Sequence, residues 1–260
     1  MEAPLTADDL SAGLATKRVG RRIHAYAETD STMDVAHRLA AAGEPEGSIV
    51  IAEAQGKGRG RLGRSWVSPP GTGIYLSLIL RPELPMAELS KITLMTAVAV
   101  AKAVQGETGL RPEIKWPNDL LIGGKKIAGI LSELNVQASG SRYVVIGIGL
   151  NVNTPAESLP EIATSLAQQA GAPVDRLRFA RRLLAELDEA YVQFLEGGMP
   201  AILDLWREFA GFLGSRIRVS VQGRMLEGQA LDIDASGALL VRTETGRVES
   251  VSAGEVLVVR

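Results

Sequence analysis

Gln55-Gly56-Lys57-Gly58-Arg59-Gly60-Arg61-Leu62-Gly63-Arg64 runs straight into Ser65-Trp66-Val67-Ser68-Pro69-Pro70-Gly71. A β-branched stretch at 48–54 precedes it. Gly58-x-Gly60-x-x-Gly63 has the spacing of a dinucleotide fingerprint, but that fingerprint needs a helix next, with the pyrophosphate on its N-terminus. Paired prolines at Pro69 and Pro70 cannot open a good helix here. A doubly wound dinucleotide fold is therefore set aside. The segment is not a P-loop either, because Lys57 is followed by Gly58 where Ser or Thr is required. What stands is a loop with four cations and four glycines in ten residues. Its glycines let successive N–H groups converge on an anion, and its arginines add forked donors suited to phosphate or carboxylate. The competing reading is a solvated arginine–glycine surface loop that touches RNA.

Working outward, the pattern is not a steady strand–helix alternation. Residues 1–20 are small, polar and charged and hold one short helix at most. Asp30-Ser31-Thr32-Met33-Asp34 opens a helix with Ser31 as its cap, and Gly43 stops it. Strands are expected at 48–54, 74–80, 113–116 and 142–152, with a hairpin at 119–134 around Gly123-Gly124. A long helix is expected over 87–106, and helices at about 161–170, 175–195 and 199–211. Past Gly214 five short strands crowd into fewer than fifty residues. The expectation is an α+β protein. It has a mixed, mostly antiparallel sheet with flanking helices, then a small C-terminal β-barrel or sandwich. The expected division is a short extension over 1–22, a catalytic domain over 23–213 and a β domain over 214–260.

Composition narrows the function classes. The 260 residues are 46% apolar and 22% charged, with net charge −2, so the chain is neither disordered nor a basic nucleic-acid coat. Cysteine is absent, which removes disulfides, thiolate nucleophiles and zinc–cysteine sites. No apolar run is long enough to span a bilayer, and the N-terminus lacks the pattern of a secretory signal. The expectation is a cytoplasmic protein with no membrane partner. His24 and His37 read as structural or surface groups.

Three further segments carry chemistry. Lys115-Trp116-Pro117-Asn118-Asp119 is either a type I turn between strands or part of a site. Gly124-Lys125-Lys126-Ile127-Ala128-Gly129-Ile130 puts a lysine at the head of an apolar strand whose small residues admit close approach. Gly147-Ile148-Gly149-Leu150-Asn151 repeats the theme beside an amide, and a bulge or sheet crossing would explain it equally.

Together, and in this order, the four segments resemble the biotin protein ligases, strongly over about 25–155 and weakly through the C-terminal strands. The resemblance implies a biotin/lipoate ligase-like catalytic domain with an SH3-like β-barrel behind it. It implies that biotin and Mg-ATP form biotinyl-5′-adenylate, which acylates one lysine of a biotin carboxyl carrier protein. It further implies roles for particular residues. Ser31, Thr32 and Gln55 would bind the ureido ring. Gly58 and Arg59 would supply loop backbone to biotin. Arg61 and Arg64 would face carboxylate, phosphate and pyrophosphate, with Trp66 near the adenine end. Lys126 would hold the reacting oxygens as the principal catalytic group, with Arg61 beside it. Lys115, Asn118 and Asp119 would line the ATP side, Asp119 meeting Mg²⁺ and helping to orient the incoming lysine. Gly129 and Gly149 would let the bicyclic ring reach the sheet, and Asn151 would approach the adenine. The loop at 252–255 would lie near the nucleotide.

Two departures from the family pattern are visible. Ser-Thr-Met stands at 31–33 where Ser-Thr-Asn is common. Only about twenty residues precede Ile23, so the expectation is a ligase without a DNA-binding domain or repressor function, working as a monomer or homodimer with no nucleic-acid partner. Two rivals are a lipoate ligase, disfavoured by the 58–64 loop and the 115–119 pentapeptide, and a non-enzymatic nucleic-acid binder. Aromatic residues make up only 4% of the chain, which counts against base stacking.

Overall fold

The computed structural model describes residues 3–83, 89–137, 140–221 and 224–259. Its larger sheet has seven strands. They are β1 (Ile23–Thr29), β2 (Ile49–Gln55), β3 (Gly73–Leu80), β4 (Glu113–Lys115), β5 (Asp119–Ile122), β6 (Lys125–Val136) and β7 (Arg142–Asn151). They lie in the order β1-β2-β3-β7-β6-β5-β4. Only β1 and β2 run parallel; the other neighbouring pairs are antiparallel.

Side-chain alternation divides the sheet into two buried faces. On one face Ile49, Ile51, Ile74, Leu76, Val144, Ile146 and Ile148 join the main core under α3 (Leu89–Thr108), α5 (Arg176–Gly197) and α6 (Pro200–Phe209). On the other face Val50, Ile79, Tyr143 and Val145 pack beneath α2 (Thr32–Ala41). Buried on both sides, β2, β3 and β7 read as near-continuous apolar runs. Further along β7, positions 147 and 149 continue the α2 face after Tyr143 and Val145, and both are glycine. The sheet is thus packed at one end of that face and bare at the other.

The α2 helix places apolar Met33, Ala36 and Ala40 at helical spacing and carries Asp34 in its first turn, where the helix dipole favours an anion. Gly43 ends it at φ +93°, a left-handed conformation costly for any residue with a Cβ. Ser31 holds the cap position in an extended conformation, but its hydroxyl makes no capping bond. That corrects the expected capping box: Thr32 N–H, near the open helix end, goes to Gln55 Oε1 instead, at 2.9 Å. The chain before β1 carries α1 (Ala7–Ser11) and is stitched to α5. Asp188 accepts the N–H groups of Lys17, Arg18 and Val19 at 2.7, 2.7 and 2.8 Å. Two other expectations need adjustment. The expected start of the long helix at Ala87 lies outside the described residues. The helix expected over 161–170 forms only at α4 (Leu166–Ala170), because the preceding segment makes a turn, with Ala163 N–H donating to Pro160 O, and then bridges to Lys126 of β6.

Five antiparallel strands complete the chain in the order β11-β10-β9-β8-β12. They are β8 (Arg216–Val221), β9 (Arg224–Ile233), β10 (Leu239–Thr243), β11 (Val248–Val251) and β12 (Glu255–Val258). The two sheets share one continuous core, which runs through Trp206, Phe209 and Phe212 to Ile217 and Val219. Polar ties add direction. The buried Trp116 donates its indole N–H to Gly237 O at 3.1 Å, and Arg207 forks onto Asp232 at 3.0 and 2.9 Å. Thus the 115–119 pentapeptide is both a wall of the central cleft and a mount for the second sheet.

Candidate active site

The bare end of the α2 face is a cleft. Gly129 of β6 pairs directly with Gly149 of β7, and Gly147 pairs with Leu131. Where the three glycines leave that strip without side chains, neighbours settle onto backbone. The Met33 thioether lies on Gly147, where an added Cβ would come within 2.7 Å of its sulfur. The Trp66 indole lies on Gly149, where an added Cβ would be 2.4 Å from the ring.

Lys126 reaches the cleft because of an irregularity in pairing. Asp119 pairs with Gly129 and Leu120 with Ala128, but Leu121 pairs with Lys126, one residue having been skipped. Since side chains alternate along a strand, this bulge turns Lys126 to the face that carries Asp119. Its ammonium sits 2.7 Å from the Asp119 carboxylate and 5.4 Å from the centre of the Trp66 ring. The backbone of Lys126 is fixed from outside the sheet: its N–H donates to Ile162 O and its carbonyl accepts from Thr164 N–H, both at 2.9 Å. Asn151 Nδ2 donates to Thr164 O at 3.0 Å, so one segment, 162–164, holds two of the expected site residues.

The 56–64 loop folds over the cleft as a tight ribbon. Trp66 N–H donates to Gly58 O and Gly60 N–H to Arg64 O, with a 3-10 turn at Arg61–Gly63. Leu62, at the tip, takes φ +57° and is highly exposed. Each loop cation meets an acceptor on the protein. Lys57 pairs with Asp30, Arg59 with Glu133 and Asp34, Arg61 with Asn118 Oδ1 at 2.6 Å, and Arg64 with Glu255 of the C-terminal sheet. A hydrogen bond from Arg64 holds the Glu255 carboxyl below the usual carboxylate range, and the same pair raises the Arg64 guanidinium.

Two adjoining cavities result. The smaller has room for about 40 Å³ and is lined by Ser31, Thr32, Gln55, Arg59, Gly129 and Gly149, among others. Within it Thr32 Oγ1 and N–H both donate to Gln55 Oε1, while Gln55 Nε2 donates to Ser68 Oγ at 2.9 Å. Ser77 Oγ donates to Thr32 Oγ1. The buried hydroxyl of Ser31 and the indole N–H of Trp66 have no partner. The larger cavity has room for about 490 Å³ and is lined by Arg64, Lys115, Asp119, Asn151, Ile162 and Glu255, with others. Gly60, Arg61, Trp66, Asn118 and Lys126 border both. Gly58 is the one expected site residue that lines neither cavity. It lies within the ribbon, packed against the Trp66 backbone, where an added Cβ would lie 2.4 Å from Trp66 O.

Some residues around the site escaped sequence reasoning. Ser68, Ser77 and Thr164 position others through single hydroxyls or carbonyls, and no local pattern marks them. Leu159, Pro160 and Ile162 line the larger cavity because residues 161–165 are not helical. Met33, the departure from Ser-Thr-Asn, lines the smaller one. Among the described residues no three His, Cys, Asp or Glu side chains converge as a metal site. Of the two carboxylates that border the larger cavity, Glu255 is engaged by Arg64 and Asp119 by Lys126. That suits a magnesium ion carried in on a nucleotide's phosphates better than a resident metal. No helix among the described residues is long and apolar enough to cross a membrane.

A mixed sheet with a glycine-bared face, a cation-rich ribbon and two cavities that meet at a lysine define a site for joining two anionic ligands. Comparison with known proteins is specific. Residues 26–151 match the biotin/lipoate A/B protein ligase family, and residues 212–259 match the biotin protein ligase C-terminal domain. The bifunctional ligase/repressor BirA of Bacillus subtilis (strain 168) is 38% identical over 253 residues, covering 96% of this chain and 78% of that protein. The biotin–[acetyl-CoA-carboxylase] ligase of Mycobacterium tuberculosis is 37% identical over 250 residues, covering 92% and 90%. Among solved structures, the Aquifex aeolicus biotin protein ligase in complex with biotin and ATP superposes with a TM-score of 0.79. It is 29% identical, over 92% of this chain and 99% of that one. The chain belongs to the biotin/lipoate A/B protein ligase family, as a biotin protein ligase.

Proposed function

We propose that this chain activates biotin with ATP as biotinyl-5′-adenylate and transfers biotin to one lysine of a biotin carboxyl carrier protein. The observation that carries this reading is the shared wall. Lys126, Arg61, Asn118 and Trp66 stand between the smaller pocket and the larger cavity and line both. A carboxylate presented from the first meets an α-phosphate presented from the second at the Lys126 ammonium.

The chemistry needs that arrangement because both reactants are anions. A carboxylate oxygen attacks the α-phosphorus, the new P–O bond forms, and the bond to pyrophosphate breaks. Lys126 and Arg61 offset the repulsion and the charge that develops on the phosphate oxygens. Arg64, Lys115 and Asn118 bind the phosphates, and Asp119 would hold the Mg²⁺ of Mg-ATP, which would supply neutralising charge to the phosphate oxygens. Asn151, held buried by Thr164, and Trp66 frame the nucleoside. Ser31, Thr32 and Gln55 present hydroxyl and amide groups to the ureido ring, Gly129 and Gly149 give the ring access to the sheet, and Gly58 and Arg59 contribute backbone from the ribbon.

In the second half-reaction the acceptor amine attacks the acyl carbon and AMP leaves. Asp119 guides the amine, and the closed ribbon keeps water from the mixed anhydride until then. We place the reaction in the cytoplasm, on a monomer or homodimer. Its partner is the carrier domain, not a nucleic acid or a membrane. We assign the catalytic domain to 23–213 and the C-terminal domain to 214–260.

Mass spectrometry of a biotin carboxyl carrier domain incubated with the chain, biotin and Mg-ATP tests the whole reading. Modification of a single lysine, dependent on both small molecules, is expected. An unmodified carrier in the presence of folded chain contradicts it.

A further inference from the structure

The four loop cations divide into two pairs. Arg61 and Arg64 border the larger cavity, whereas Lys57 and Arg59 turn away from it. Lys57 makes a single, highly exposed ion pair with Asp30. Arg59 is held very differently. Its guanidinium forks onto Glu133, with Nη1 to Oε1 at 3.0 Å and Nη2 to Oε2 at 3.2 Å. The same Nη2 lies 3.0 Å from Asp34 Oδ1. His37 Nε2 lies 2.8 Å from Glu133 Oε2, so the acceptor is itself braced.

The three anchors stand on elements that carry site residues. Asp34 and His37 belong to α2, which begins with Thr32 just after Ser31, and Glu133 belongs to β6, which carries Lys126 and Gly129. Arg59 therefore clasps the ribbon to both walls of the smaller cavity at once. A planar fork on a braced carboxylate, with a second carboxylate on the same nitrogen, is a stronger and more directional tie than an isolated surface pair.

We propose that Glu133 and Asp34 are positioning residues. Through Arg59 they hold the ribbon closed over the intermediate and so set how long an acyl-adenylate is retained, without touching the reacting atoms. The inference rests on the reading of the cleft as an adenylate-forming site. It predicts a separation of effects, because the clasp faces away from the cavity where phosphate chemistry occurs.

The test uses the full chain and the variants Glu133→Gln, Asp34→Asn, the double variant and Arg59→Lys. The last keeps the charge but loses the fork. Two quantities are measured: biotin-dependent exchange of labelled pyrophosphate into ATP, and the first-order release of labelled biotinyl-adenylate from isolated complex. In the double variant release is expected to quicken about three- to tenfold, in line with a partly exposed charged network. Exchange should remain biotin-dependent, with the loss appearing in KM for biotin more than in kcat. Arg59→Lys should fall between the double variant and the parent. Tryptic cleavage at Arg61 in the presence of biotin and ATP should rise in the same order. Unchanged release in a double variant that still exchanges overturns the clasp and leaves the functional reading in place. A kcat loss equal to the KM change overturns it too, since that marks a general structural defect. Absence of biotin-dependent exchange in the parent chain overturns the reading of the cleft itself, and the clasp with it.

Discussion

The Trp66 indole rests on the backbone of Gly149, so close that a Cβ there would lie 2.4 Å from the ring. Gly149 is also one of the two paired glycines expected to admit a ligand to the sheet. With the indole in place the smaller cavity has room for about 40 Å³, against about 490 Å³ in the larger one. The buried indole N–H has no hydrogen-bond partner. An unsatisfied buried donor costs about 1–3 kcal/mol, so this position is one that the ring can leave readily.

Biotin should therefore move Trp66. The other two tryptophans, Trp116 and Trp206, are 1% and 0% exposed, so a biotin-dependent change in emission reports Trp66. Titration with biotin is expected to shift the emission of the parent chain and to leave Trp66→Phe nearly silent. Equal responses from both would place the ligand elsewhere. Gly149→Ala should bar the present Trp66 position and weaken ribbon closure.

Lys126→Ala should abolish most adenylate formation. Removing one preorganised cation from a developing phosphate charge costs about 10²–10³ in rate. The fold should survive, because the Lys126–Asp119 pair is partly exposed and such pairs contribute about 1 kcal/mol or less. Pyrophosphate exchange together with a thermal melt checks both halves. Near-parental exchange would remove Lys126 from the centre of the mechanism.

Arg61→Gly should free the intermediate early. Arg61 borders both cavities and ties the ribbon to Asn118 at 2.6 Å. Its loss opens the junction to water and to stray amines. Bystander proteins added to the reaction should then acquire biotin on several lysines, as seen by peptide mapping. Strict confinement to the carrier lysine in this variant speaks against closure.

Acid should loosen the tie between the ribbon and the C-terminal sheet. The Arg64 hydrogen bond holds the Glu255 carboxyl below the usual carboxylate range. A depressed carboxyl contributes stability that is full above the unfolded pKa and is lost as pH falls through the folded one. The urea midpoint of the parent chain should exceed that of Glu255→Gln at neutral pH. The gap should close below about pH 4.5, where the group begins to protonate in the unfolded chain. The pair is substantially exposed, so the gap corresponds to about 1 kcal/mol at most. A gap constant down to acid pH would mean that the ion pair does not hold the sheet.

Much of the architecture was legible because it is written locally. The apolar runs of β2, β3 and β7, the Gly123-Gly124 turn and the stop at Gly43 depend on neighbours in sequence. So does the exclusion of a helix after Gly63, where Pro69 and Pro70 stand close by. What escaped depends on distant partners. Ser31 stands at the cap position as read, but its hydroxyl makes no capping bond, and Gln55, from another strand, takes the Thr32 N–H. Residues 161–165 look helical in isolation, but hydrogen bonds joining Ile162 and Thr164 to Lys126 and Asn151 hold them in a turn and bridge instead. The bulge that turns Lys126 toward Asp119 leaves no mark in Lys125-Lys126-Ile127, since register belongs to the pair of strands and not to either one. Nothing in the loop sequence foretold that each of its cations would meet an acceptor, because Asp34, Asn118, Glu133 and Glu255 come from four separate places in the chain.

The central claim is that the cleft joins biotin to the α-phosphate of ATP. Exchange of labelled pyrophosphate into ATP measures that step alone, without a carrier. With Mg²⁺ and biotin the folded chain should catalyse exchange, while lipoate and acid-free controls should stay at background. Exchange with lipoate in place of biotin, or with neither acid, would contradict the assignment.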